Sequence, residues 1–246
     1  MLIALLGLIG PPAAVAGGIP ILVYHRFGAV VADSMTIETT TFEAQLRYLA
    51  EHQRPVVTLR ALVDHRLGRG PTPPPGAVIL TADDGHRSVY TDMYPLVRRY
   101  GVSVTLFVYP SAIGRADYAM TWDQLRELQA SGLFDVQSHT WWHPNFHVEK
   151  RRLAPAAYGR FVQTQLVHSR ELLHNALGTP IDLLAWPFGI YDRELMAAAM
   201  AAGYAAGLTL DARPARATDD ALALPRFLVA NALRGAAFAR VIGPTP

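Results

Sequence analysis

The length of 246 residues suggests one large α/β or barrel domain, or at most two small ones, and a composition 51% hydrophobic and 17% charged excludes disordered, collagen-like and low-complexity chains. With 22 basic against 20 acidic residues the net charge is +2, and the basic residues are scattered, so nucleic acid is not expected as a partner. The absence of cysteine excludes disulfide frameworks, thiolate zinc sites and cysteine nucleophiles.

In chain order, Leu2 to Ile9 is a short apolar run, followed by a Gly10-Pro11-Pro12 breaker and the small-x-small pattern Ala14-Val15-Ala16. This reads as a secretory signal peptide over residues 1–16, although no Lys or Arg precedes the run; a trimmed or misassigned start, or a buried first strand, are the alternatives. It is far shorter than the roughly 20 apolar residues that span a bilayer, so no stable membrane insertion is expected after cleavage. A single exported domain, periplasmic or extracellular, then occupies residues 17–246.

Beyond the leader, short apolar runs alternate with helical patterns, as a mainly parallel sheet or barrel requires. Strands are predicted at Ile19 to Tyr24, Pro55 to Thr58, Ala77 to Thr81, Ser103 to Tyr109, Phe134 to Ser138, Leu183 to Trp186 and Tyr204 to Leu208, with a last one near Phe227 to Ala230. Between them, Phe42, Leu46 and Leu49 mark one helical stripe, and Leu125, Leu128 and Leu133 another. The clearest helix runs from about Ala156 to Leu177, with Gly178 as its stop. That gives seven or eight βα units in roughly 225 residues after the leader, fewer residues than a full-length eightfold barrel usually takes. The expected fold is therefore α/β, a distorted or incomplete (β/α) barrel of about seven strands. In such folds chemistry gathers at the C-terminal strand ends.

Four strand ends carry unusual groups: Tyr24-His25, Asp83-Asp84-Gly85-His86, His139-Thr140-Trp141-Trp142-His143 and Trp186-Pro187-Phe188-Gly189. Adjacent aspartates repel unless something separates or neutralises them, and a divalent cation would do so. An Asp-Gly turn with one carboxylate capping a helix near Ser88 is the structural alternative. The i, i+4 spacing of His139 and His143 would bring both imidazoles to one side of a helical turn, close enough to share a metal. His147 continues the spacing, but Pro144 and Asn145 interrupt it, so it is expected in an exposed loop. Trp141 or Trp142 could be core aromatics or a stacking surface for a sugar ring, and Trp186 is a further candidate for substrate contact. One carboxylate and two histidines leave coordination positions open, as catalytic zinc requires, and free the second carboxylate to act as a base.

Thr81-Ala82-Asp83-Asp84-Gly85 together with His139-Thr140-Trp141-Trp142-His143 resembles the first two motifs of the NodB-type polysaccharide deacetylases, carbohydrate esterase family 4. Tyr24-His25, Trp186-Pro187-Phe188-Gly189 and Leu224-Pro225-Arg226 extend the resemblance over most of the chain after the leader. It is strongest to the exported deacetylases of poly-N-acetylglucosamine exopolysaccharide systems, whose motif order is permuted. The resemblance implies metal-dependent removal of N-acetyl groups from a β-linked N-acetylglucosamine polymer, with a divalent metal, Zn²⁺ foremost, as cofactor and exopolysaccharide export or biosynthesis proteins as partners. By it Asp83 is the general base, Asp84, His139 and His143 are the metal ligands, and the Phe188 backbone N–H helps to hold the oxyanion.

The departures from the family are specific. Ala82 replaces a usual Phe, and Leu184 stands where many members have an arginine that pairs with the base; Arg226 is the candidate replacement, with a surface ion pair or simple solvation as alternatives. No histidine follows His174, so the acid expected near the C-terminus is matched by the resemblance to His25, as in the permuted subgroup, with a hydrogen bond inside a buried strand end as the structural alternative. Deacetylation of peptidoglycan, chitin oligomers or O-acetylated sugars, or glycan binding without turnover, are the competing readings.

Overall fold

The computed structural model describes residues 18–244, so the leader reading lies outside the described residues. The elements in order are β1 (Ile21–Tyr24), β2 (Arg26–Gly28), β3 (Thr36–Glu38), α1 (Thr39–Glu51), α2 (Leu59–Arg66), β4 (Ile79–Ala82), α3 (Tyr94–Tyr100), β5 (Val104–Val108), α4 (Trp122–Ala130) and β6 (Phe134–Ser138). They continue with α5 (Phe146–Arg152), α6 (Pro155–Gln163), α7 (Ser169–Leu177), β7 (Leu183–Ala185), α8 (Arg193–Ala201), β8 (Ala206–Leu208), β9 (Phe227–Leu228) and α9 (Ala236–Ile242).

Seven strands form one parallel sheet in the order β8-β7-β6-β5-β4-β1-β9. The sheet curls back on itself. Leu224, just before β9, bridges Leu208 of β8, with Thr209 N–H donating to Leu224 O at 2.8 Å and Leu224 N–H to Gly207 O at 2.8 Å. One short segment therefore pairs with β8 through Leu224 and with β1 through β9, and this seam completes a distorted barrel.

Side-chain alternation divides the core into two layers. Leu22, Tyr24, Leu80, Ala82, Leu106, Val136, Leu184 and Trp186 belong to the large cluster that also holds Phe42, Leu46 and Leu49 of α1 and Leu125 and Leu128 of α4. Ile21, Ile79, Phe107, Leu183, Ala185, Ala206 and Leu208 form a separate inner cluster, plugged by Leu59, Leu62 and Val63 of α2. Toward the C-terminal end the lumen turns polar, with Thr81, Asp83, Gln137, His139 and Arg226 all buried.

The predicted strand at Pro55 to Thr58 reduces to one bridge between Val56 and Val78. Proline has no N–H for a ladder, and Thr58 already caps α2, its side chain accepting from Ala61 N–H at 3.0 Å. The long helix from about Ala156 to Leu177 is α6 and α7 joined through a π-helical turn at Thr164–His168. That turn brings Gln165, 1% exposed, against the strand-end loop, where its Oε1 accepts from Trp142 N–H at 3.2 Å. The strip β2–β3 is a separate two-stranded parallel sheet that the sequence pattern did not reveal. Among the described residues no helix is long and apolar enough to cross a membrane.

Gly207 in β8 is where the layers approach most closely: a Cβ there would lie 2.6 Å from Leu222 O and 2.7 Å from Trp186 Nε1. Gly207→Ala should therefore part the seam from the tryptophan and lower stability by about 1–3 kcal/mol. Thermal denaturation would show this as a depressed Tm, and an unchanged Tm would contradict the close approach.

Candidate active site

The ends of β4, β6 and β7 and the segment leading into β9 converge on one cluster. Asp83 follows β4, donates its N–H to Tyr24 O at 2.9 Å and is 2% exposed. Asp84 and Gly85 then turn the chain with φ of 73° each. A Cβ on Gly85 would sit 3.0 Å from Ile113 and Val108, so the turn requires glycine both for its angle and for its space.

His139 and His143 do come together, with ring centroids 4.6 Å apart, but not on a helical turn as expected. They are held by an irregular loop in which Thr140 (φ 65°) and His143 (φ 62°) both adopt left-handed backbone. Of the five non-glycine residues with positive φ among the described residues, four belong to the strand-end motifs: Asp84, Thr140, His143 and Phe188. Such conformations cost about 1–3 kcal/mol each and persist where surrounding structure enforces them, which is typical of functional sites.

The donor set suits a divalent cation. His139 Nδ1 donates to Ala185 O at 2.8 Å, which fixes the tautomer and leaves Nε2 as a lone-pair donor. From Asp84 Oδ1, His139 Nε2 is 3.6 Å and His143 Nε2 is 3.7 Å away, and one donor atom from each of the three lies within 4.8 Å of the others. Tetrahedral donors about 2.0–2.2 Å from one ion stand about 3.4 Å apart, close to this spacing. Burial pushes the His139 imidazole down to about 3, which keeps that ring neutral, and lowers His143 in the same direction. Burial raises the Asp84 carboxyl, with the Asp83 charge adding to it; an ion at this position would relieve both costs.

Arg226 is wholly buried and meets Asp83 in a bidentate pair, Nη1 to Oδ1 at 2.8 Å and Nη2 to Oδ2 at 2.7 Å. Its Nε donates to Thr209 O at 3.1 Å, its Nη1 also to Thr81 Oγ1 at 3.1 Å, and its guanidinium lies 5.6 Å from the Phe107 ring centre. Burial alone would raise the Asp83 carboxyl, but the Arg226 charge, the neighbouring histidines and the two hydrogen bonds overcome it and hold the group at about 2. Arg226 is thus paired with Asp83 inside the lumen and is not part of a surface ion pair.

His25 sits where β1 gives way to β2, with its Nδ1 buried and unpartnered among the described residues. Burial lowers its pKa, while Asp83 and Asp84 pull the other way. Phe188 has φ 56° and ψ 14°, and its half-exposed ring meets His143 edge-on at 4.5 Å. Gly189 and Ile190 give their N–H groups to Trp186 O and Pro187 O. The carbonyl that Phe188 N–H would meet in a regular turn, Ala185 O, is taken by His139 Nδ1.

The three tryptophans separate. Trp142 is 39% exposed and packs near Phe161, and Trp141 is half-buried against His168. Trp186, expected to touch substrate, is completely buried between sheet and helices, with Nε1 donating to Leu222 O at 2.8 Å and Phe146 edge-on at 6.3 Å. It is a core residue. His147 is exposed, but on α5 rather than in a loop, because Asn145 caps that helix by accepting from Val148 N–H at 3.1 Å.

Sequence reasoning missed a group at the end of β5. The Tyr109 ring lies 5.4 Å from His143, its hydroxyl meets that of Tyr118 at 2.5 Å, and Tyr118 stacks on His86 at 6.2 Å. The available signal was an amphipathic aromatic directly after an apolar strand.

A model of the polysaccharide deacetylase family matches residues 70–207. YxkH of Bacillus subtilis is 28% identical over 224 residues, covering 91% of this chain and 76% of that protein. The poly-beta-1,6-N-acetyl-D-glucosamine N-deacetylase of Staphylococcus aureus is 21% identical over 203 residues, covering 80% of this chain and 68% of that protein. Among solved structures, IcaB from Ammonifex degensii is 27% identical and superposes with a TM-score of 0.76 over 88% of this chain and 94% of that one. With the family match spanning more than half of the sequence, this chain belongs to the polysaccharide deacetylase family.

Proposed function

We propose that this chain is a metal-dependent N-deacetylase of a β-linked N-acetylglucosamine polysaccharide, exported by a leader at residues 1–16 and acting through a catalytic domain at residues 17–246. The observation that carries the reading is the Asp83–Arg226 pair beside the Asp84, His139 and His143 donors: an ionised carboxylate fixed next to a three-donor cation site. The polymer is inferred from the poly-N-acetylglucosamine deacetylase relatives.

In this reading Asp84, His139 and His143 hold Zn²⁺ or a similar ion. A divalent ion bound there supplies Lewis-acid polarisation of the acyl oxygen and a lowered pKa for the attacking water, which lets so weak a base as Asp83 take its proton. Arg226 keeps Asp83 ionised and aimed. As the water oxygen attacks the acetamido carbon, the Phe188 N–H donates to the developing oxyanion. His25 gives a proton to the departing nitrogen as the C–N bond breaks, releasing acetate and the free amine. Trp142 offers an exposed face to the sugar.

Acetate release should be assayed from a panel of poly-β-1,6-N-acetylglucosamine, chitin oligomers, peptidoglycan and O-acetylated sugars, with and without chelator. Chelator-sensitive release from the β-1,6 polymer is expected. Binding without release would favour a non-catalytic glycan-binding protein, and preference for another glycan would reassign the substrate.

Purified protein should contain about one divalent ion per chain, lost in His139→Ala. The adjacent carboxylates should then separate. Asp84→Asn should lose the ion, whereas Asp83→Asn should keep it and lose most turnover. Because Asp83→Asn leaves Arg226 buried without its counter-charge, that variant should also lose about 3–5 kcal/mol of stability. Metal analysis beside thermal denaturation checks both, and equal metal loss in the two variants would overturn the assignment.

His25→Ala should keep the fold and the metal while cutting turnover about a hundredfold or more. Burial holds the imidazole below the ordinary histidine value of about 6.5, so its protonated fraction, and with it the rate, should fall as pH rises through that lowered value. The alkaline limb of the pH–rate profile should vanish in His25→Ala. An active variant with an unchanged profile would exclude His25 as the acid.

A further inference from the structure

Beside the loop that carries His139 and His143 lies a cavity of about 620 Å³, within the range of roughly 300–1,000 Å³ usual for small-molecule sites. Trp122 of α4, Arg115 of the loop after β5, and His168, Glu171 and Asn175 along the π turn and α7 line it, and Trp141, from the loop of the two histidines, forms part of its wall. Trp141 stands between the two histidines in sequence. Its ring meets His168 edge-on at 5.0 Å, and its carbonyl accepts from Ser111 N–H at 3.1 Å, which ties this wall to the end of β5. Trp122 is seated against Gly114, where a Cβ would lie 3.4 Å from the indole.

Of the charged groups around the cavity, Arg126 is engaged, with Asp123 at 2.6 Å and Ala176 O at 3.3 Å, and the others are unspent. Among the described residues, the side chains of Arg115, His168, Glu171 and Asn175 make no hydrogen bond or ion pair to a protein group. Some exposed charges elsewhere do pair, as Arg99 does with Glu43 and Lys150 with Asp192 and Glu194. Two indoles and four uncommitted hydrogen-bonding side chains in one concavity match the two-sided chemistry of a pyranose, an apolar C–H face rimmed by hydroxyl and amide groups.

We propose that this cavity is an accessory subsite for a further pyranose unit of the same acetylated polymer whose reacting unit lies at Asp84, His139 and His143. The inference rests on the deacetylase reading. The subsite makes the enzyme sensitive to chain length, because binding energy from a non-reacting sugar is available to hold the reacting one in place.

The test measures acetate release by the full-length, metal-loaded protein across β-linked N-acetylglucosamine oligomers of increasing length, from the disaccharide upward. For the native sequence, kcat/KM should rise with length. In a Glu171→Ala/Asn175→Ala double variant, both changes lying on the exposed side of α7, kcat/KM on the longest oligomer should fall about tenfold, chiefly through KM, and the rise should flatten. Arg115→Ala should act in the same direction. Native rates that ignore length, or variants that track the native protein at every length, would overturn the subsite while leaving the deacetylase reading intact. Absence of acetate release by the native protein from every oligomer would overturn the deacetylase reading and the subsite with it.

Discussion

The ion pair between Arg226 and Asp83 is the constraint on which the rest of the site depends. It joins residues 143 positions apart, inside the barrel, with both side chains removed from water. Two charges in such a place are costly unless each is fully engaged, and a lone one is worse. Arg226 meets this condition with bonds to Asp83, Thr81 and Thr209, while Thr81 passes its own hydroxyl proton to Leu22 O at 2.9 Å. These contacts tie β1, β4, the end of β8 and the seam into one network. Barrel closure and the ionisation of the acid are therefore one structural event: the segment that pairs with β8 and β1 is the segment that carries the arginine.

The second constraint lies in the backbone. Three donors on two strand ends can face a single point only if the chain turns back sharply where each strand stops. Asp84, Thr140, His143 and Phe188 accept left-handed conformations to do this, and Gly85 and Gly189 supply the turns where a side chain has no room. The surroundings hold them: Gln165 receives the Trp142 N–H, and Ala185 O receives the His139 ring proton. The π turn between α6 and α7 belongs to the same scaffold, since it is the element that delivers Gln165 to the loop.

The barrel was legible because strands buried on both faces read as short apolar runs, and most run positions coincide with β1, β4, β5, β6, β7, β8 and β9. β2 and β3, Arg-Phe-Gly and Thr-Ile-Glu, each hold a single large apolar residue and so form no apolar run to be seen. The clustering of Asp84, His139 and His143 followed from motif and strand-end position. The helical geometry expected for the histidines did not hold, because i, i+4 spacing says nothing about a loop that turns through left-handed residues. Trp186 was misread for a different reason. Strand parity decides which layer a side chain enters, and Trp186 shares the parity of Leu184, which packs under the helices, whereas Ala185 faces the lumen.

The same parity accounts for the arginine's place in the chain. Leu184 stands where the family resemblance locates the base-pairing arginine, yet its side chain belongs to the outer layer, and a guanidinium there would be set among the apolar residues beneath the helices. The lumen-facing positions on β7 are Leu183 and Ala185; Ala185, at the strand's C-terminal end, is too small to reach Asp83, and the lumen beside it is filled by Phe107 and Leu208. A barrel interior admits few large side chains at any level. The group that neutralises Asp83 must then come from a part of the wall next to β4 on its other side. The segment leading into β9, beyond β1, meets that requirement, and Arg226 enters there with its ring-face contact to Phe107 closing the remaining space. In this chain the charge that faces Asp83 is thus supplied from the wall of the lumen beyond β1.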